Sequence, residues 1–266
     1  MKHFSPRMLQ ALCITTFILF GAQIQTASGQ TPTPAAAPTP QLLSITVVSV
    51  KPEMAAEFRN FMKNTTNPAL KKGGATMREV WQTTAAGGDV FEYVIVAPVS
   101  KFAEFDGPGA LEKGLGAEGM SAWQAKAGSL VNSVRRLIIR TRPSLSYSTM
   151  QNTLPKLAVV HWVHIAAGRN ADYENYLTNH FVPVMKQAKV PYLVSQTLFG
   201  GDANEYVTLT LRDTFADLDK GPVVTQALGE EGAEKLFKNL PAGTVVRVER
   251  SIARFVPELS IIPSPQ

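Results

Sequence analysis

Three histidines offer proton-exchange or metal-binding chemistry: His161, His164 and His180; the fourth, His3, lies in an apolar leader. His161 and His164 are three apart in a β-branched run that reads as a strand. Side chains alternate along a strand, so these two point to opposite faces and share no site unless a bulge intervenes. His180 stands late in a helical stretch, in Asn179-His180-Phe181-Val182-Pro183. Zinc needs three or four ligands, and the nearby acids Asp172, Glu174 and Asp202 show no ligand spacing. No metal is expected. Tyr206 joins the histidines as a candidate catalytic group.

A second set of residues suits binding. In Glu205-Tyr206-Val207-Thr208-Leu209-Thr210-Leu211 one face is apolar and the other carries hydroxyls. The expectation is that Val207, Leu209 and Leu211 face helices. Tyr206, Thr208 and Thr210 then face an interior, with Trp162 and the matching Tyr93. An apolar pocket with a few polar groups fits a small organic molecule. The competing reading is a filled core whose hydroxyls bond locally.

Other chemistries lack their residues. Cys13, the one cysteine, falls inside the leader, so the rest of the chain has neither disulfide nor thiol nucleophile. No Gly-x-Ser-x-Gly elbow occurs. Leu115-Gly116-Ala117-Glu118-Gly119 and Leu228-Gly229-Glu230-Glu231-Gly232 lack the lysine and the strand–loop–helix setting of a phosphate loop, and read as helix interruptions or caps. The 26 basic against 21 acidic residues give +5, or +3 without Lys2 and Arg7 of the leader. That excess is small and scattered, so no nucleic-acid partner is expected.

The elements that position these residues occur twice. Glu92-Tyr93-Val94 is answered by Glu205-Tyr206-Val207, and the two Leu-Gly-x-Glu-Gly stretches share the same offset of 113. Phe58 and Phe61 answer Tyr173 and Tyr176, and Pro68 answers Pro183. This is an internal duplication. Each copy reads as strand, helix, strand, strand, helix, strand. In the first, Leu42–Val50 opens, Lys51-Pro52-Glu53 starts a helix, a hairpin turns at 85–88, and a second helix breaks at Gly107-Pro108. A βαββαβ unit is the ferredoxin-like arrangement, one sheet with both helices on one face. The bare face must be covered. The expected fold is therefore α+β: two tandem ferredoxin-like repeats packed sheet to sheet as a pseudo-dimeric α+β barrel.

Residues 1–29 read as a secretory signal peptide. Lys2 and Arg7 precede an apolar run at 8–22, and Ala27-Ser28-Gly29 supplies small residues for cleavage. The run is shorter than the roughly 20 residues a membrane span needs. Residues 30–41 are a Pro/Thr/Ala linker, 42–147 the first repeat, 148–156 a connector, 157–261 the second repeat and 262–266 a tail. The expected location is exported, periplasmic or secreted. No membrane contact follows signal cleavage, and the assembly is a monomer or homodimer.

The opening strand, the Lys-Pro-Glu helix start, the aromatic helix, the Gly-turned hairpin and the Gly-Pro-broken helix together resemble the dimeric α+β barrel superfamily. That group holds antibiotic-biosynthesis-type cofactor-free monooxygenases, NIPSNAP-like and EthD-like proteins, haem-degrading enzymes, and tandem chlorite dismutase and dye-decolourising peroxidase relatives. The resemblance spans nearly all of residues 42–261 but matches no catalytic motif, so it carries over no catalytic residue. It implies that haem, with His180 as iron ligand, is worth testing. Three readings stay open: binding of a small apolar or aromatic molecule between the sheets, oxidoreductase chemistry in the same cavity with or without haem, and a structural protein with a filled core.

Overall fold

The computed structural model describes residues 39–148 and 155–262. The expected signal peptide, most of the linker, most of the connector and the end of the tail lie outside the described residues.

The first repeat begins with β1 (Leu42–Val50). Pro52 and Glu53 follow, a proline with φ already set for a helical turn and an acid at its positive end, and α1 (Ala55–Phe61) continues from them. The helix then widens into a π turn (Met62–Thr66), in which the Asn67 N–H reaches back to the Met62 carbonyl, before α2 (Asn67–Lys72). Pro68 has no N–H to continue the regular ladder, and the widened turn sits immediately before it. The hairpin β2 (Glu79–Thr83) and β3 (Glu92–Val99), helix α3 (Ala110–Leu130) and β4 (Val131–Thr141) complete the repeat.

The second repeat follows the same course: β5 (Leu157–Ile165), α4 (Asn170–Tyr176), a π turn (Leu177–Phe181), α5 (Val182–Gln187), β6 (Tyr192–Phe199), β7 (Glu205–Arg212), the short α6 (Ala216–Asp219), α7 (Val223–Lys238) and β8 (Val245–Phe255). Pro183 again follows the π turn. Helices α3 and α7 each bend at one glycine, Gly116 (φ 72°, ψ 173°) and Gly229 (φ 71°, ψ 174°). That conformation is essentially reserved for glycine. The two Leu-Gly-x-Glu-Gly stretches are thus helix interruptions.

The strands form one closed barrel in the order β1-β3-β2-β8-β5-β7-β6-β4, with every neighbouring pair antiparallel. Within it each repeat keeps the ferredoxin-like order, fourth–first–third–second. The fold is the expected α+β barrel. Closure comes from the edges: β2 of the first repeat pairs with β8, and β4 pairs with β6 of the second. Each sheet's exposed edges, a standing aggregation hazard, are thereby used up.

Two layers of side chains result. Outside, beneath the helices, Val48, Phe58, Met62, Val80 and Tyr93 form one core, and Val163, Tyr173, Tyr176, Met185, Tyr192 and Tyr206 form its counterpart. Inside, Trp81, Ala158, Leu211 and Ala253 pack with Val94, Val160 and Leu209, while Ile45, Leu137 and Ile139 pack with Val47 and Trp162.

This corrects the expected sidedness of β7. Val207, Leu209 and Leu211 line the lumen, and Tyr206 and Thr208 are turned outward. Thr210 shares their face by alternation. Tyr93, the first-repeat match of Tyr206, is likewise outward, its ring 5.0 Å from Phe58. The reason is size and polarity together. The helix faces offer aromatic rings and a carboxylate for a tyrosine, whereas the lumen is walled by aliphatic side chains.

Candidate active site in the barrel lumen

Barrel closure encloses a cavity of about 950 Å³. Its middle is apolar, walled by Ile45, Val47, Val94, Val96, Val160, Leu209 and Leu211, with Trp81 and Trp162 on the wall. Because every pair of neighbours is antiparallel, strands four places apart, such as β1 and β5, run the same way. Their C-terminal ends meet at one end of the barrel, and charged groups gather there.

His164 is the last inward residue of β5, in register with Glu205 on β7 and Arg247 on β8. Its Nε2 lies 3.6 Å from Glu205 Oε2, 3.8 Å from Glu249 Oε1 and 3.3 Å from Arg247 Nη2. Glu205 is only 2% exposed. It accepts a hydrogen bond from Thr197 Oγ1 at 2.9 Å, and Arg135 Nη2 stands 3.4 Å from both its oxygens. Arg135 belongs to the first repeat, so this cluster needs both halves of the chain. The Arg135 guanidinium carbon also lies 5.5 Å from the centre of the Trp162 ring, a cation–π distance. His164 presents a ring nitrogen at the cavity wall, and the guanidiniums favour negative charge on anything docked beside them. At the other end, Glu79 accepts from Trp81 Nε1 at 3.1 Å.

Of the residues singled out by type and spacing, His164 and Trp162 line the lumen. His161 does not. Its cross-strand neighbours are Thr208 and Arg250, and burial, with Arg250 nearby, pushes its imidazole down to about 4. His161 and His164 thus face opposite ways, as alternation requires. Tyr206 is engaged under the helices: its hydroxyl donates to Glu174 Oε1 at 2.7 Å, and its ring lies edge-on to Tyr173 at 5.1 Å. Burial and the Glu174 carboxylate raise its hydroxyl well above the usual range. Tyr206 is therefore not brought together with His164.

His180 sits in the second π turn, its ring 6.0 Å from that of Tyr176. The space between helices and sheet there is filled by Tyr173, Tyr176, Tyr192 and Tyr206, all buried, with Phe181 packed against Tyr192 at 5.0 Å. A porphyrin has no room beside His180, so these residues do not fit haem. Among the described residues no three His, Cys, Asp or Glu side chains gather to hold a metal ion.

Residue type and spacing alone do not single out Glu205, Arg135, Arg247, Glu249 and Glu92, which also line the lumen. A signal was present in the matched tripeptides. Both repeats keep Glu-Tyr-Val, and alternation puts the glutamate on the face opposite the tyrosine, so assigning the tyrosine outward assigns the glutamate to the lumen.

No family model matches the chain, and no curated protein matches it. Solved structures share its fold. An anthrone oxidase-like protein superposes with a TM-score of 0.55 at 10% identity, over 85% of this chain and 97% of its own. A putative monooxygenase from Fusobacterium nucleatum gives 0.55 at 9%, over 81% and 92%. A putative monooxygenase from Lactobacillus acidophilus gives 0.53 at 7%, over 82% and 94%. At such identities the likeness is one of fold.

Proposed function

We propose that the barrel lumen binds a small, largely apolar or aromatic molecule, and that the chain is exported to meet it. The observation that carries this reading is the cavity itself: about 950 Å³, aliphatic and tryptophan-walled in its middle, charged at one end. Sites for organic ligands have that size and composition. The export part rests on the leader sequence alone.

The test is isothermal titration with a neutral aromatic probe, 1-naphthylmethanol. Binding is expected with the wild-type protein and its loss in Val160→Trp and Leu209→Trp, which fill the lumen. Absence of binding, or binding indifferent to both substitutions, would sink the reading.

A second reading, cofactor-free oxidation of the bound molecule, is favoured by His164 standing 3.6 Å from a buried carboxylate on the cavity wall. The monooxygenase and oxidase names among the fold neighbours agree with it. It requires oxygen uptake on addition of the bound compound, abolished by His164→Ala.

A further inference from the structure

The duplication supplies an internal control for the charged end of the lumen. Glu92 opens β3 as Glu205 opens β7, and both line the cavity. Each takes a threonine hydroxyl from the adjacent hairpin strand: Thr83 Oγ1 donates to Glu92 at 3.0 Å, Thr197 Oγ1 to Glu205 at 2.9 Å. There the likeness ends. Glu205 faces His164 in register and receives Arg135 from the opposite repeat. Glu92 faces Ser49 in register. The position matching Arg135, judged by the pairing of Val47 with Arg135 and of Trp162 with Glu249, is Glu249. Where the buried carboxylate of one repeat has an imidazole and a guanidinium, the matching positions for its duplicate hold a serine and an acid. Among the described residues no lysine, arginine or histidine pairs with Glu92.

The cavity as a whole leans the same way. Five acidic residues line it against three arginines, inside a chain of net charge +5. A half-buried carboxylate beside an apolar lumen attracts a cation more strongly than one in open water. It also retains acceptor capacity beyond its one hydroxyl partner. The lumen already holds one cation over a ring, Arg135 on Trp162.

We infer that Glu92 anchors a protonated amine, and that the molecule bound in the lumen is an amphipathic organic amine with an apolar or aromatic body. The inference rests on the lumen being a binding site. The ammonium completes Glu92 as Arg135 completes Glu205, through charge-assisted hydrogen bonds. The divergence of the repeats then serves a purpose: with a cation built in on one side only, a near-symmetric barrel holds its ligand in one orientation.

The experiment uses three probes of matched body in calorimetric titrations of the full chain: 1-naphthylmethylammonium, 1-naphthylmethanol and 1-naphthoate. The ammonium is expected to bind at least tenfold tighter than the alcohol, and the carboxylate more weakly than the alcohol. Glu92→Gln keeps an acceptor for Thr83 and should erase the tenfold advantage while leaving the alcohol within about twofold. Ser49→Arg, which places a guanidinium in register with Glu92 where Glu205 has His164, should erase it too. An ammonium no tighter than the alcohol, or an advantage that survives in both variants, overturns the inference while alcohol binding still upholds the lumen as a site. Failure of all three probes overturns the lumen reading and this inference with it.

Discussion

The joint between the repeats rests on a charged clasp whose strength can be worked out in advance. Arg142, where the first repeat leaves the barrel, grips Glu174 on α4 of the second repeat with two parallel contacts of 2.5 Å, and Tyr206 donates to the same carboxylate at 2.7 Å. The two side chains are 23% and 26% exposed. Fully exposed pairs contribute ~0.2–1 kcal/mol, while breaking a buried pair costs ~3–5 kcal/mol. A bidentate pair about three-quarters buried falls between, so we expect a coupling of about 2 kcal/mol. The first repeat carries the same clasp with its charges reversed. Arg59 on α1 pairs with Glu258 from the second repeat's exit and approaches the Tyr93 hydroxyl at 3.4 Å, but its side chains are 37% and 43% exposed. Its coupling should stay below about 1 kcal/mol. The assay is urea unfolding of wild type, Arg142→Gln, Glu174→Gln and the double variant, with the matching set at Arg59 and Glu258. At ~2–4 °C per kcal/mol for a chain of this size, the Arg142–Glu174 coupling corresponds to about 4–8 °C in melting temperature. A coupling below about 0.5 kcal/mol, or a larger one at Arg59–Glu258, would refute the argument from burial.

Two further outcomes follow from single residues. His161 is held neutral, its imidazole pushed down to about 4 by burial and by Arg250. The unfolded chain therefore takes up the proton first, and this residue's contribution is complete above pH ~6.5 and declines toward pH 4, at no more than about 1.4 kcal/mol per pH unit. His161→Gln should flatten that slope, and ring-proton NMR should show titration near 4; a midpoint near 6.5 rejects it. At Gly229, φ is 71° and ψ 174°, with open space where a Cβ would stand, so Gly229→Ala tests backbone strain alone. It should destabilise by about 1–3 kcal/mol in denaturant, and a neutral or stabilising effect would count against the kink as a glycine-only conformation.

Much of the architecture is local, and local features are written in the chain. Element order and the glycine breaks at Gly116 and Gly229 follow from backbone chemistry within a few residues, and the duplication from matched stretches 113 positions apart. The candidate site was less legible. His164 and Trp162 were identified by residue type, and their lumen position agrees with the alternation of β5. The acids and arginines around them carry no such mark, because single charged residues at strand ends look like ordinary solvated termini. Arg135 meets Glu205 only because β4 pairs with β6 across the repeats, seventy positions apart in the chain.

By itself, then, the sequence determined that β7 has two faces: period-two alternation separates Tyr206, Thr208 and Thr210 from Val207, Leu209 and Leu211. It did not determine which face is inside. A strand buried on both sides carries no contrast with water to mark its orientation, so the apolar residues do not identify the core face. Only the tertiary structure decided it, because the rings of Tyr173 and Tyr176 and the carboxylate of Glu174 on the overlying helix supply what Tyr206 needs, and barrel closure leaves the aliphatic face to wall the lumen.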